Sequence, residues 1–304
     1  MAAPMRSTDF RDIVAPILNE EFDGVYDQRQ DEWSKFAREF TGIARAYHEE
    51  PVLYGFGPAP EVPDGTAFTY QSGGELFNQR YVYKVYGMAF ALTKVLVEDG
   101  DHIRIGQTMS RHLAQSLIET KELLGAQILN YAFNSSYPGG DGVSLINTAH
   151  PIVTGTFSNQ LTTAANLSQT SLEQILIQIR NATDANGKKI NLRPRQIVTG
   201  PSNMFQAEVL LKSVLRAGTA NNDINPIKSM GLLDSEAAII SRITSTTSWF
   251  VDTNAPEGVK LAMRRKLEKS MEGDFDTDSM RYKASERYAY GWTDPRGIYG
   301  TAGL

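Results

Sequence analysis

The sequence has no cysteine. Disulfides, thiolate metal sites and cysteine nucleophiles are therefore excluded, and stability must come from packing and association. No apolar run reaches the roughly 18 residues of a membrane helix. The first dozen residues, with Asp9, Arg11 and Asp12, hold no apolar stretch of the secretory kind, so a soluble product without a membrane partner is expected. Histidine is scarce: His48, His102, His112 and His150 share no metal-ligand spacing, and each reads as a capping or surface residue. There is no GxxxxGK[ST] phosphate loop, no GxGxxG and no GxSxG elbow. Asp274, Asp276 and Asp278 alternate as calcium ligands do. Ser279 and Ser285, however, stand where such a loop needs glycine and glutamate, and the stretch reads as a solvated acidic turn. Asn134, Asn166 and Asn181 match glycosylation triplets, which carry no meaning without a secretory signal. No catalytic residue, cofactor or metal is expected, and the chain reads as a non-enzyme.

What is present is a chain of 304 residues, 41% hydrophobic and 10% aromatic, enough to bury a sizeable core. Its net charge of −5 is unevenly placed: residues 1–50 carry six basic and eleven acidic groups, while the rest is balanced. The longest unambiguous element is a spine helix over 103–134. Ile105, Met109, Leu113 and Leu117 recur every fourth residue, and Leu124, Ile128 and Ala132 resume the row after a polar break at Thr120 and Lys121. Asp101 supplies a cap, and the turn formers from Asn134 to Gly140 stop the helix. Gly125, disfavoured in a helix interior, predicts another backbone crossing close by.

Residues 1–30 show too little periodicity for a core helix and suit an extended arm, held by a neighbouring chain. Asp31 can cap a short helix with Trp33, Phe36, Ala37 and Phe40 on one face, ending near Tyr47. From Pro51 to Gln79 glycine, proline and aromatics dominate, reading as a projecting two-stranded loop. Tyr81 to Val97 reads as strand, with a bulge at Gly87. Beyond the spine, Ser171 and Gln174 predict a capping box for a helix burying Leu172, Ile175, Leu176 and Ile179, closed by Asn186 and Gly187. A strand over 195–199 follows, then a helix opened by Gly200 and Pro201 with Phe205, Val209 and Leu210 inward, and a polar loop over 218–231. Strands over 237–243, 249–252 and 259–263 complete an inserted α/β unit. From Met280 to Trp292 the even positions carry Met280, Tyr282, Tyr288, Tyr290 and Trp292 and the odd ones Arg281, Lys283 and Arg287, a two-faced strand with one buried side, and Asp294 to Gly297 fit a type I turn.

Two basic clusters stand out, Arg193 with Arg195 and Arg264-Arg265-Lys266. The latter triplet is expected to meet the acidic N-terminal segment or loop of a neighbouring subunit.

The order of parts resembles the major capsid protein of tailed bacteriophages, the Hong Kong 97 fold. The wording is similar to Mu-like major head subunits: Gly139-Gly140-Asp141-Gly142, then Asn147-Thr148-Ala149-His150-Pro151 and Asn222-Asp223-Ile224-Asn225-Pro226. The run through Phe275-Asp276-Thr277, Tyr282-Lys283-Ala284, Glu286-Arg287 and Gly291-Trp292-Thr293-Asp294-Pro295-Arg296-Gly297 fits as well.

The resemblance implies an α+β fold with an N-terminal arm (1–51), an extended loop (52–86), a peripheral domain with the spine helix (87–147 and 260–304) and an inserted axial domain (148–259). It implies pentamers and hexamers of an icosahedral shell around double-stranded DNA, assembled in the host cytoplasm and found in the virion. Scaffolding and portal proteins, and a decoration protein, are the implied partners. Trp33, Phe36 and Arg296 join Arg264, Arg265 and Lys266 as expected inter-subunit contacts. Some members remove a fused scaffold ahead of the arm; here a separate scaffold and an uncleaved N-terminus are expected. Some cross-link through a lysine in the extended loop; the absence of lysine between Lys35 and Lys84 predicts non-covalent shells. The competing readings are an encapsulin-like compartment carrying protein and, more remotely, an enzyme built on the inserted α/β unit.

Overall fold

A computed structural model describes residues 7–41, 45–93, 95–96, 99, 102–216, 223–234, 236–274 and 279–304, with side chains from Val14 onward. Val14, Leu18, Phe22 and Tyr26, four residues apart, form one buried stripe on helix α1 (Ser7–Tyr26). That stripe packs on Leu113, Ala114 and Leu117 of the spine helix and on Met271, Tyr282 and Ala284 of the long sheet. The extended-arm reading is thus corrected. Acidic residues between the apolar ones, and Pro16 inside the helix, mask a regular four-residue row. The short helix expected after Asp31 is a single 3-10 turn, Trp33–Lys35, entered through Glu32. Trp33, Phe36 and Ala37 are buried, but the chain then extends into β1 (Arg38–Phe40).

Strands β2 (Tyr47–Tyr54) and β3 (Gly74–Val82) pair antiparallel as a hairpin whose connecting residues 55–73 have no strand. The expected strand over 81–97 is interrupted at Tyr83, and β4 (Lys84–Thr93) follows. Gly87 is no bulge: it pairs in register with Ser285, and a Cβ there would stand 2.7 Å from the Ser285 Cβ.

The spine, α2 (His102–Asn130), spans about 44 Å at ~1.5 Å per residue. It ends four residues before Asn134; Asp101, its expected cap, lies outside the described residues. Its buried face runs through Gly106, Ser110, Leu113, Leu117, Lys121, Glu122, Gly125, Ala126 and Leu129, while Met109 faces out. The expected polar break is therefore part of the inward face. At Gly125 the close neighbour is the Trp33 side chain, not a backbone: an added Cβ would lie 2.9 Å from the Trp33 Cβ and 3.3 Å from the Tyr290 hydroxyl.

The inserted region begins with the small hairpin β5 (His150–Ile152) and β6 (Gly155–Phe157). Helix α3 (Gln169–Arg180) buries the four predicted apolar residues, but its capping box is Ser168 with Ser171, and it ends at Asn181. Strand β7 (Pro194–Thr199) leads through a 3-10 turn, Pro201–Asn203, into α4 (Met204–Lys212). There Ala207, Leu210 and Leu211 are buried and Phe205 and Val209 exposed, a rotation from the expected face because the 3-10 turn shifts the register. Within the stretch read as loop, Asn225 caps α5 (Pro226–Met230); residues 217–222 lie outside the described set. Then come β8 (Ala238–Ile239) and β9 (Trp249–Thr253).

Strands β10 (Val259–Asp274) and β11 (Ser279–Trp292) are the longest, and β12 (Ile298–Thr301) closes the chain. One sheet has the order β1-β10-β11-β4, the other β12-β9-β7-β8. The strand at Val259 therefore belongs to the long sheet and not to the inserted unit, whereas β12 crosses from the C-terminal region into the inserted sheet. On β11 Tyr282 and Tyr288 are buried, as the alternation predicts, and Ala284 and the carboxylate of Glu286 are buried on the same face between them. Asp294 caps the 3-10 turn Pro295–Gly297, where the turn was expected. Asp274 bonds Arg281; Asp276 and Asp278 lie outside the described residues.

Candidate assembly interface

The β2–β3 hairpin stands on a charged root. Glu50 accepts from Lys260 Nζ at 2.7 Å and from the Thr293 hydroxyl, and lies 3.3 Å from His48 Nε2. Thr293 in turn meets the Tyr81 hydroxyl at 2.6 Å. Burial alone would raise the Glu50 carboxyl, but the hydrogen bonds from Lys260 and Thr293 outweigh it and hold it below the usual carboxylate range. Beyond this root the loop leaves the body. Leu53, Phe56, Phe68 and Tyr70 are exposed, the last at 97%. From residue 51 to residue 79 there is no lysine or arginine, while Glu61, Asp64 and Glu75 are present. Asn186 Nδ2 donates to the Gly55 carbonyl at 2.7 Å, tying the start of the loop to the inserted unit.

A second cluster joins three separated stretches of chain. Asn159 Nδ2 faces the carbonyls of Leu145, Pro295 and Ile298 at 2.7, 3.0 and 3.1 Å. This fixes the amide orientation, so Oδ1 must accept, from the Asn147 N–H at 2.8 Å and from His150 Nε2 at 3.1 Å. The other ring nitrogen, Nδ1, lies 2.6 Å from Asp141 Oδ2. The ring stacks on Phe157, whose face also carries the Arg296 guanidinium at 4.2 Å. His150 is fully buried, which corrects its reading as a capping or surface residue. The Gly-Gly-Asp-Gly, Asn-Thr-Ala-His-Pro and Asp-Pro-Arg-Gly wordings are thus one site in space, and its job is cohesion.

A third cluster lies under the spine. Lys121 Nζ is 2.5 Å from Glu286 and 2.8 Å from the Tyr26 hydroxyl, which itself donates to Glu286 at 2.5 Å. Burial, then the Glu286 charge, push the Tyr26 phenol above its ordinary range. Glu122 accepts the N–H groups of Glu32 and Trp33, and burial nevertheless raises its carboxyl. Glu32 continues the chain of contacts to Ser241 and Arg242 of the inserted unit.

Of the expected inter-subunit contacts, Trp33, Phe36 and Arg296 are buried in the chain's own core at 5%, 3% and 7% exposure, which leaves no side-chain surface for a neighbour. The basic triplet is divided. Arg265 bonds Glu268 and Ser285 on the outer face of the long sheet, and Arg264 lies near Tyr83. Lys266 instead lines a cleft shared with Asp23 of α1 and with Asp27 just beyond its end, so this member of the triplet faces the acidic segment of its own chain. Arg195 of the other cluster pairs with Asp252, whose carboxyl burial pushes up to about 6 even so. Sequence reasoning assigned no role to Lys121, Glu286 or Asn159. A charge four residues after Leu117, inside an apolar row, was the signal for Lys121; the others are set by the fold.

A family model described as phage capsid protein matches residues 79–301. The chain belongs to that family. The same phage capsid fold is found in solved structures at low identity. A virus-like particle from Pyrococcus furiosus is 10% identical, covering 94% of this chain and 98% of its own, with a TM-score of 0.53. The capsid of cyanophage P-SCSP1u is 12% identical over 88% and 86%, also at 0.53. The procapsid of bacteriophage JBD30 is 12% identical over 96% of this chain and 74% of that one, at 0.51. No curated protein matches in sequence. As a phage capsid protein the chain is a shell-forming, self-associating subunit of the virion with the expected α+β architecture. Among the described residues no helix is long and apolar enough to cross a membrane.

Proposed function

We propose that copies of this chain close, as pentamers and hexamers, into the icosahedral head of a tailed phage around double-stranded DNA. Scaffolding and portal proteins, and a decoration protein, serve it in the host cytoplasm, and the subunit works without catalytic residues. In this reading residues 52–86 lie over a neighbour, 148–259 surround the capsomer centre, and the spine with the long sheet forms the periphery. The observation that carries it is the projecting hairpin, whose aromatic tip has nothing to bury it in a lone chain. A compartment filled with protein is the second reading, favoured by the near end-to-end likeness to a shell described as a virus-like particle and not as a phage capsid.

Electron microscopy of the chain expressed alone and with its neighbouring genes, with absorbance read for nucleic acid, tests both. DNA-filled shells in the full context are expected. Shells holding only protein would favour the compartment, and a small monodisperse species in both preparations would end the shell reading.

A further inference from the structure

The two edges of the long sheet are finished in opposite ways. Along β10, β1 covers only Lys260, Leu261 and Ala262. Beyond that cover β10 carries Arg264, Arg265, Lys266, Glu268, Lys269 and Glu272, and its register with β11 shifts twice between Met263 and Glu268. Charges and bulges of this kind keep a free edge from accepting another strand. At the opposite edge β4 pairs with β11 alone, in unbroken register from Lys84 to Thr93. Among the described residues none of its backbone groups bonds to any other element. From Val85 to Thr93 there is no charge and no proline. Seven of the ten residues of β4 are exposed, Met88 among them at 54%, so the described part of the chain does not cover this edge. A long, regular, uncharged edge is a template for one more strand.

We propose that β4 pairs antiparallel with β4 of a second copy across a local two-fold axis centred on Met88, joining their long sheets into one. The inference rests on the shell reading and names one contact within it, which does not involve the projecting loop. Charge selects the occupant. Every other described strand of more than four residues carries a charged side chain beyond its first position, so a second β4 is the strand that brings no unpaired charge to this edge. The aromatics select the register. With Met88 on the axis, Tyr86 of each copy stands opposite Phe90 of the other, on the face where Tyr86 stacks on Tyr288 at 4.7 Å and Phe90 meets Tyr282 at 5.4 Å. The aromatic row of one sheet thus runs on into that of the other, and cross-strand aromatic pairs stabilise a sheet. Lys84 of each copy then faces Leu92, and the two lysines lie roughly 27 Å apart at ~3.4 Å per residue. That exceeds the reach of surface charges, about 8–10 Å in ordinary salt. A two-fold contact needs one self-complementary patch, and this strand supplies it.

The test uses the full chain, which has no cysteine of its own. Met88→Cys sets two thiols face to face across the axis, with Cβ atoms about 5 Å apart. Oxidised glutathione should then give disulfide-linked dimers in shells and none in unassembled subunits, read on a non-reducing gel. Val85→Cys, whose equivalents stand about 20 Å apart in this register, should give none. Shells of the Met88→Cys chain without dimer, or dimer from Val85→Cys, would overturn the proposal. Met88→Lys and Met88→Glu, each alone, should lose shells by placing like charges on the axis, and the two chains mixed should recover them. Undiminished assembly of either variant alone, or a loss that mixing does not recover, would give the edge to a different strand and overturn the proposal too. Both variants should keep the melting temperature of unassembled subunits, since Met88 is exposed; a marked fall would assign Met88 to the chain's own packing and count equally against it. If the unaltered chain forms no particles at all, the shell reading itself fails, a result distinct from shells that form without the cross-link.

Discussion

Lys121 Nζ lies 2.5 Å from Oε2 of Glu286, and the two side chains are only 4% and 2% exposed. The pair couples the middle of the spine helix to the centre of β11, and the Tyr26 hydroxyl bonds both partners, so α1 is latched by the same contact. Removing one member strands the other charge in the core. Lys121→Met should cost about 3–5 kcal/mol, and Lys121→Met with Glu286→Leu much less than the sum of the single losses. Thermal unfolding of the four species closes the cycle. Additive losses would show that the two charges do not depend on each other.

Glu50 gives the hairpin root a pH dependence with a definite sign. Its carboxyl is held below the usual range in the fold, so the stability it adds is complete above the ordinary glutamate range. It is lost as pH falls through the lowered value, when the native state must take up a proton. Glu50→Gln should cost about 1–3 kcal/mol near neutrality and flatten the acid limb of the stability curve. An unchanged acid limb would place the pH dependence elsewhere.

Asn159 holds three carbonyls with one amide nitrogen. Asn159→Ala leaves them without that donor and should cost about 3 kcal/mol or more. Asn159→Asp should be worse, since a carboxylate oxygen would then face carbonyl oxygens. Hydrogen exchange should quicken at 145–159 and 295–301 together; quickening in only one of these stretches would contradict a shared hub.

At Gly125 two effects oppose each other. Alanine gains about 1 kcal/mol of helix propensity, but its Cβ would stand 2.9 Å from that of Trp33, and overpacking costs about 1–3 kcal/mol. Gly125→Ala should therefore be destabilising by up to about 2 kcal/mol, and a rise in melting temperature would show that the Trp33 turn gives way freely.

Elements dictated by local periodicity are legible in the amino-acid sequence itself. The spine, the apolar face of α3, the alternation along β11 and the turn at Asp294–Gly297 all depend on residues a few places apart. Helix α1 is legible in principle, since Val14, Leu18, Phe22 and Tyr26 keep a strict spacing, but acidic neighbours and Pro16 conceal it. Trp33 and Phe36 look like contact residues in sequence because exposed and buried aromatics have the same composition. What separates them is Gly125, far along the chain, which opens the space that Trp33 enters. The roles of Asn159 and Glu286 depend on partners across sheets and between units, for which no spacing rule exists.

The two sheets are joined by a pair of neighbouring straps: one leads from β9 to β10 past Gly258, the other from β11 to β12 past Gly297. The glycines touch so closely that a Cβ on Gly297 would fall 2.3 Å from the Gly258 Cα. A side chain at Gly297 would force the two straps apart, and with them the seam along which the inserted sheet and the long sheet share one core.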